Sequence, residues 1–118
     1  MQKPPPPPPA APPISASRGA PPIVPFIVFE GIKYRQVLDA REHGKDQRTG
    51  YLAAYEEDGD EPLWLLKVYD TPRIEHLEQD VQEVYFSRMS LDAENRQLLI
   101  QNELGNTFVV DIDSKTVR

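Results

Sequence analysis

The residues with the widest chemical range sit in the polar run DAREHGKDQRT, residues 39–49. His43 lies three positions before Asp46, with Glu42 beside it and Arg41 and Arg48 on either side. An imidazole near a carboxylate can ligate a metal or act as an acid–base pair. A loop histidine among acids is also well satisfied by water alone, and that plainer reading is the expectation. The second histidine, His76, stands between Glu75 and Glu78. Those carboxylates favour the imidazolium form, but no nucleophile lies beside it in sequence. Lys33 and Arg35 alternate along an apolar run and project together. Such a pair can meet an anion or simply form a solvated face. Residues 56–62, EEDGDEP, gather five carboxylates. Their spacing lacks the calcium-loop pattern D-x-[DN]-x-[DN]-G-x₅-E, so they read as a solvated turn whose charges oppose aggregation.

Other chemistry has no residues to carry it. There is no cysteine, which removes disulfides, thiolate metal sites and a cysteine nucleophile. There is no G-x-S-x-G, no glycine-rich phosphate loop and no H-E-x-x-H. No catalytic, cofactor-binding or metal-ligating residue is assigned, and no cofactor is expected. The side chains expected to meet a partner are Arg41, His43, Asp46 and Arg48 in the polar run, and Pro4, Pro7 and Pro9 near the N-terminus.

Eleven of the thirteen prolines lie in the first 25 residues, six of them consecutive at residues 4–9. A proline run favours polyproline II, extended and without internal hydrogen bonds. It satisfies P-x-x-P, so it can dock in an aromatic groove or act only as a spacer. With few apolar groups to bury, residues 1–25 are expected to be a disordered tail. The remaining residues, 26–118, suffice for one core and not two.

Charge is divided unevenly. The tail carries Lys3 and Arg18 and no acid; the rest carries eleven bases and nineteen acids, a balance of −8. An acidic domain without a basic run is poorly suited to nucleic acid, where cationic contacts supply most of the affinity. No apolar run approaches the ~20 residues that cross a bilayer. The N-terminus has polyproline where a secretory signal has an apolar core. The expectation is a cytoplasmic protein, or an exported one if an upstream signal has been removed.

Around these residues the chain reads as strands. The stretch GYLAAYEEDGDEPLWLLKVYD, residues 50–70, forms a hairpin: two apolar arms flank an Asp-Gly turn. Trp64, Leu66 and Val68 share one face and are expected in the core; Leu63, Leu65, Lys67 and Tyr69 share the other. The only tryptophan makes Trp64→Ala the expected most damaging change. Upstream, residues 23–29 and 32–38 read as strands, with Ile32, Tyr34 and Leu38 on one face. Residues 39–49 read as an exposed loop. In residues 70–82 Thr71-Pro72 and the spacing of Ile74, Leu77 and Val81 suggest a short helix or an irregular crossover. Residues 84–91, 97–103 and 107–113 alternate again, Leu98, Ile100, Phe108, Val110 and Ile112 inward, and residues 116–118 begin a last short strand. Short turns between runs imply an antiparallel meander.

The central hairpin resembles a repeat of the pyrroloquinoline-quinone-type β-propellers, L-x-A-x-D-x-x-T-G-K-x-L-W, through Leu52, Ala54, Glu56, Leu63 and Trp64. Gly59 falls one place early, and Asp60 and Glu61 replace Gly-Lys. The resemblance implies a blade-like structural unit. A closed propeller needs at least four such blades, more than this chain holds. Over residues 27–117 the runs VFEGIKY, DQRTGYLAA, LWLLKVYD and VDIDSKTV are similar to a group of small bacterial β-domain proteins for which no catalytic or binding residue is established. That resemblance implies a compact bacterial β domain.

The expected fold is therefore one mostly β, antiparallel domain of six to eight strands (sandwich, barrel or blade-like), with at most one short helix. The expected function is a non-enzymatic interaction module with a protein partner, monomeric or weakly dimeric, the tail serving as spacer or recruiting segment. The alternatives are an assembly subunit pairing through an edge strand, and a small enzyme using His43 or His76 with nearby carboxylates.

Overall fold

Alternation of apolar and polar side chains produces eight strands in the computed structural model, which describes residues 21–71 and 83–118. They are β1 Ile27–Phe29, β2 Ile32–Gln36, β3 Tyr51–Glu56, β4 Pro62–Lys67, β5 Phe86–Asp92, β6 Gln97–Asn102, β7 Thr107–Asp111 and β8 Thr116–Val117. They form two four-stranded sheets in the orders β1-β2-β3-β4 and β5-β6-β7-β8. Every pairing is antiparallel. Each sheet is thus a simple meander, the arrangement of a propeller blade.

The two sheets share one register pattern. In the first, Leu52 lies opposite Leu66 and Ala54 opposite Trp64. In the second, Leu98 lies opposite Val110 and Ile100 opposite Phe108. Side chains two apart on a strand share a face, so both hairpins direct these residues one way. They meet: Tyr34, Leu52, Ala54 and Val68 form a single core with Phe86, Leu98, Ile100, Val110 and Ile112. Each large side chain buried there contributes roughly 1.5–3 kcal/mol. A smaller cluster of Val37, Ala40, Tyr51 and Ala53, with Tyr55 and Leu65 against it, covers part of the opposite face of the first sheet.

Polar contacts fasten one sheet to the other. The Phe86 amide donates to Gln36 Oε1 at 3.0 Å. Arg96, in the β5–β6 turn, donates to Glu30 in the β1–β2 turn at 2.8 Å and to Asp113 at 2.9 Å. The Phe86–Gln36 and Arg96–Glu30 partners are 50 and 66 residues apart, so their energies are felt only once both sheets have formed, while the Arg96–Asp113 contact lies within the second sheet.

Several expectations are corrected. Residues 39–49 are not a wholly exposed loop. They contain a short 3₁₀ helix, Ala40–His43, started by the Asp39 side chain accepting from the Arg41 amide. Ala40 and Thr49 are fully buried and Gln47 nearly so. Leu38 does not share the inner face of Ile32 and Tyr34: β2 ends at Gln36 and Leu38 is 49% exposed. The first strand is three residues long, because Pro25 cannot donate to a ladder. Tyr69 does not stay on the half-covered face; beyond the end of β4 its ring turns into the core. Trp64 packs against the core but is only half-buried, whereas Phe86, Leu52, Leu98, Ile100 and Val110 are fully enclosed. The expected helix or crossover at residues 70–82, with His76, and the tail with Pro4, Pro7 and Pro9 lie outside the described residues, except Asp70 and Thr71 at the start of the former and residues 21–25 at the end of the latter.

Candidate functional site

The loop that joins β2 to β3 holds its polar residues by tertiary bonds. Gln47 Nε2 donates to the carbonyls of Thr49 at 2.7 Å and Tyr69 at 2.8 Å, and its Oε1 accepts from the Thr71 amide. Thr49 Oγ1 accepts from the Val84 amide. Buried polar groups are tolerated when so satisfied. Gly50 makes this close approach possible: its φ is +86°, and a Cβ there would lie 2.6 Å from Gln47 Nε2 and 2.7 Å from the Tyr69 carbonyl oxygen.

Of the four loop residues expected to meet a partner, Arg41 and Arg48 share the Asp39 carboxylate, whereas Asp46 is bound elsewhere and His43 is exposed. Asp46 accepts from Tyr51 Oη and from Lys67 Nζ, both at 2.7 Å, and Lys67 also reaches Asp70 at 2.9 Å. The Lys67 and Tyr51 hydrogen bonds hold the Asp46 carboxyl down at about 2. Lys67 is correspondingly raised by its bonds to Asp46 and Asp70. Asp46 is therefore engaged with Lys67 and Tyr51. His43 is exposed in the last turn of the 3₁₀ helix. Arg41 lies 3.5 Å from Asp39. Arg48 lies between Asp39 at 3.6 Å and Glu83 at 3.4 Å, and its buried Nε has no hydrogen-bond partner among the described residues. Burial pushes the Glu83 carboxyl up, and the Arg48 charge opposes that shift. Among the described residues no three His, Asp or Glu side chains are grouped to hold a metal ion. No helix among them is long and apolar enough to cross a membrane.

A different surface gathers cations and aromatic rings. On the outer face of the first sheet, Lys33 Nζ lies over the rings of Phe26 and Tyr55 at 5.6 and 5.5 Å. The Arg35 guanidinium lies 5.9 Å from the Tyr55 ring. Tyr55 is placed between them by pairing, since Lys33 faces Tyr55 and Arg35 faces Ala53 across β2 and β3. Phe26 is 56% exposed and Leu63 51%. Beside this strip a groove of about 260 Å³ runs between the segment Pro21 to Phe26 and Arg35, Gln36 and Leu38. Neither Lys33 nor Arg35 makes an ion pair among the described residues, whereas Arg41, Arg48, Lys67 and Arg96 all do. The alternation of Lys33 and Arg35 is visible in the sequence. The aromatic rings beside them are not, because Phe26 and Tyr55 reach the strip through folding alone.

Comparison of the chain with protein-family models, with curated proteins and with solved structures finds no match.

Proposed function

We propose that this domain is a non-enzymatic binding module that takes an extended protein segment, acidic and apolar in character, across the outer face of its first sheet. The observation that carries this reading is the strip Phe26, Lys33, Tyr55 and Arg35, two cations with no ion-pair partner among the described residues, held against aromatic rings on a domain of net negative charge. Aromatic and arginine side chains are the usual anchors of protein interfaces. A cation already seated on a ring keeps its N–H groups for a carboxylate. The adjoining groove supplies apolar walls through Val24, Phe26 and Leu38. The proline run at residues 4–9 then serves as spacer or recruiting segment.

A small enzyme using His43 has less support, because Asp46, a carboxylate expected to pair with it, is committed to Lys67 and Tyr51; His76, the other candidate, lies outside the described residues. An assembly subunit pairing through an edge strand is favoured by one observation, the position of β5 at the margin of the second sheet among the described residues. Selection from a peptide-display library on the full chain tests the main reading. Enrichment of sequences combining Asp or Glu with Phe, Leu or Trp supports it; enrichment of basic sequences, or none, contradicts it.

A further inference from the structure

We propose that the outer edge of β5 is a self-pairing surface, and that two copies of this chain join there antiparallel about a two-fold axis at Ser90. The common register of the two hairpins makes β5 the counterpart of β2: β2 pairs with β3 as β5 pairs with β6. On its other side β2 is covered by β1. Among the described residues β5 has no strand on its other side. It is also the longest strand, at seven residues. An uncovered edge presents a row of N–H and C=O groups that templates pairing with another chain.

The usable part of that edge is short. The ladder is irregular between Phe86 and Arg88, and the Phe86 amide is already bound to Gln36. Arg88 to Asp92 remain, reading Arg-Met-Ser-Leu-Asp. This segment is complementary to itself. With Ser90 opposite Ser90 of a second copy, Arg88 faces the second copy's Asp92, and the reverse pair forms too. Met89 faces Leu91 in the same way. Opposite charges and apolar pairs directly across an antiparallel ladder are both stabilising.

The faces agree as well. Met89 and Leu91 are half-buried against the core, so the pairing extends the core across the axis. Arg88 is exposed and makes no ion pair among the described residues. Asp92 accepts from the amide and side chain of Asn95; a carboxylate has about four lone-pair sites and retains room for an arginine. The chain's own proline run is a poor occupant of this edge, because proline has no N–H to give a ladder. A symmetric, isologous contact of this kind closes at two copies.

The absence of cysteine gives a clean test. In the full chain, S90C puts a single thiol on the proposed axis, where paired strands bring the two Cα atoms within disulfide range. S114C puts one in the exposed turn after β7. Under mild oxidation S90C is expected to form covalent dimer at least tenfold faster than S114C. R88D added to S90C places like charges across the ladder and should return the rate to the S114C level. Equal rates for S90C and S114C overturn the proposal, as does an S90C rate that R88D leaves unchanged. No peptide ligand and no residue of the first sheet enters this test, so its outcome is separate from that of the binding strip.

Discussion

Tyr69 donates its hydroxyl to the Val84 carbonyl oxygen at 2.6 Å, while its ring stacks on Phe108 at 5.1 Å. One side chain thus ties the end of the first sheet to the start of the second and to its third strand. Burial raises the pKa of that phenol, so it remains a donor at ordinary pH. Tyr69→Phe keeps the ring and removes the donor, leaving the Val84 carbonyl without this bond. The expected loss is about 1–3 kcal/mol in chemical denaturation. A loss below about 0.5 kcal/mol would mean that water takes over the carbonyl.

Phe86 is fully buried between the sheets, and Trp64 lies at the edge of the same core. Phe86→Ala should cost about 3–5 kcal/mol, the usual range for a large core truncation. Trp64→Ala should cost less. Urea melts of the two variants check the ranking, and a reversed order would place the centre of the core at the first hairpin.

Gly50→Ala should destabilise strongly. Its positive φ disfavours a side chain, and the new methyl would meet backbone at Tyr69 as well as Gln47. Strain at such a residue costs of order 1–3 kcal/mol before the clash is counted. Thermal melting should show the drop. A neutral result would show that the loop between β2 and β3 can shift away from Tyr69 at little cost.

The pH dependence follows from Asp46. Its carboxyl is lowered from 3.8 to about 2 by Lys67 and Tyr51. A depressed acid stabilises the fold above its unfolded value, and that contribution disappears as pH falls through the folded value. Asp46→Asn should flatten the stability curve between about pH 4 and pH 2. Glu83 acts in the opposite sense. Burial raises it, so its contribution fades as pH rises from its ordinary value of 4.5. Glu83→Gln should remove that component, and acid titrations of both variants separate the two.

Much of the fold is legible in the sequence because strand alternation is local. Phe108, Val110 and Ile112 point inward as their spacing requires, and so do Leu98 and Ile100. The division into two sheets was also written there. Leu52, Ala54, Trp64, Leu66 and Val68 recur as Leu98, Ile100, Phe108, Val110 and Ile112, but the differing turn lengths hide the repeat. Gln47 and Thr49 could not be read as buried. Their partners, Tyr69, Thr71 and Val84, are 22 to 35 residues away, and polarity alone assigns such residues to solvent. The same limit applies to the strip of Phe26, Lys33, Tyr55 and Arg35. Lys33 and Arg35 announce themselves by alternation, while the rings of Phe26 and Tyr55 become their neighbours only in the folded sheet.

The central claim is that partner binding runs through Lys33 and Arg35 and not through the loop at Arg41 and His43. Its most direct test is the affinity of an acidic, apolar peptide selected on the full chain, measured by fluorescence anisotropy against K33E/R35E and R41A/H43A. Binding weakened at least tenfold in K33E/R35E and unchanged in R41A/H43A is the predicted result. Binding unaffected by K33E/R35E, or lost in R41A/H43A, would contradict the account and move the site to the loop between β2 and β3.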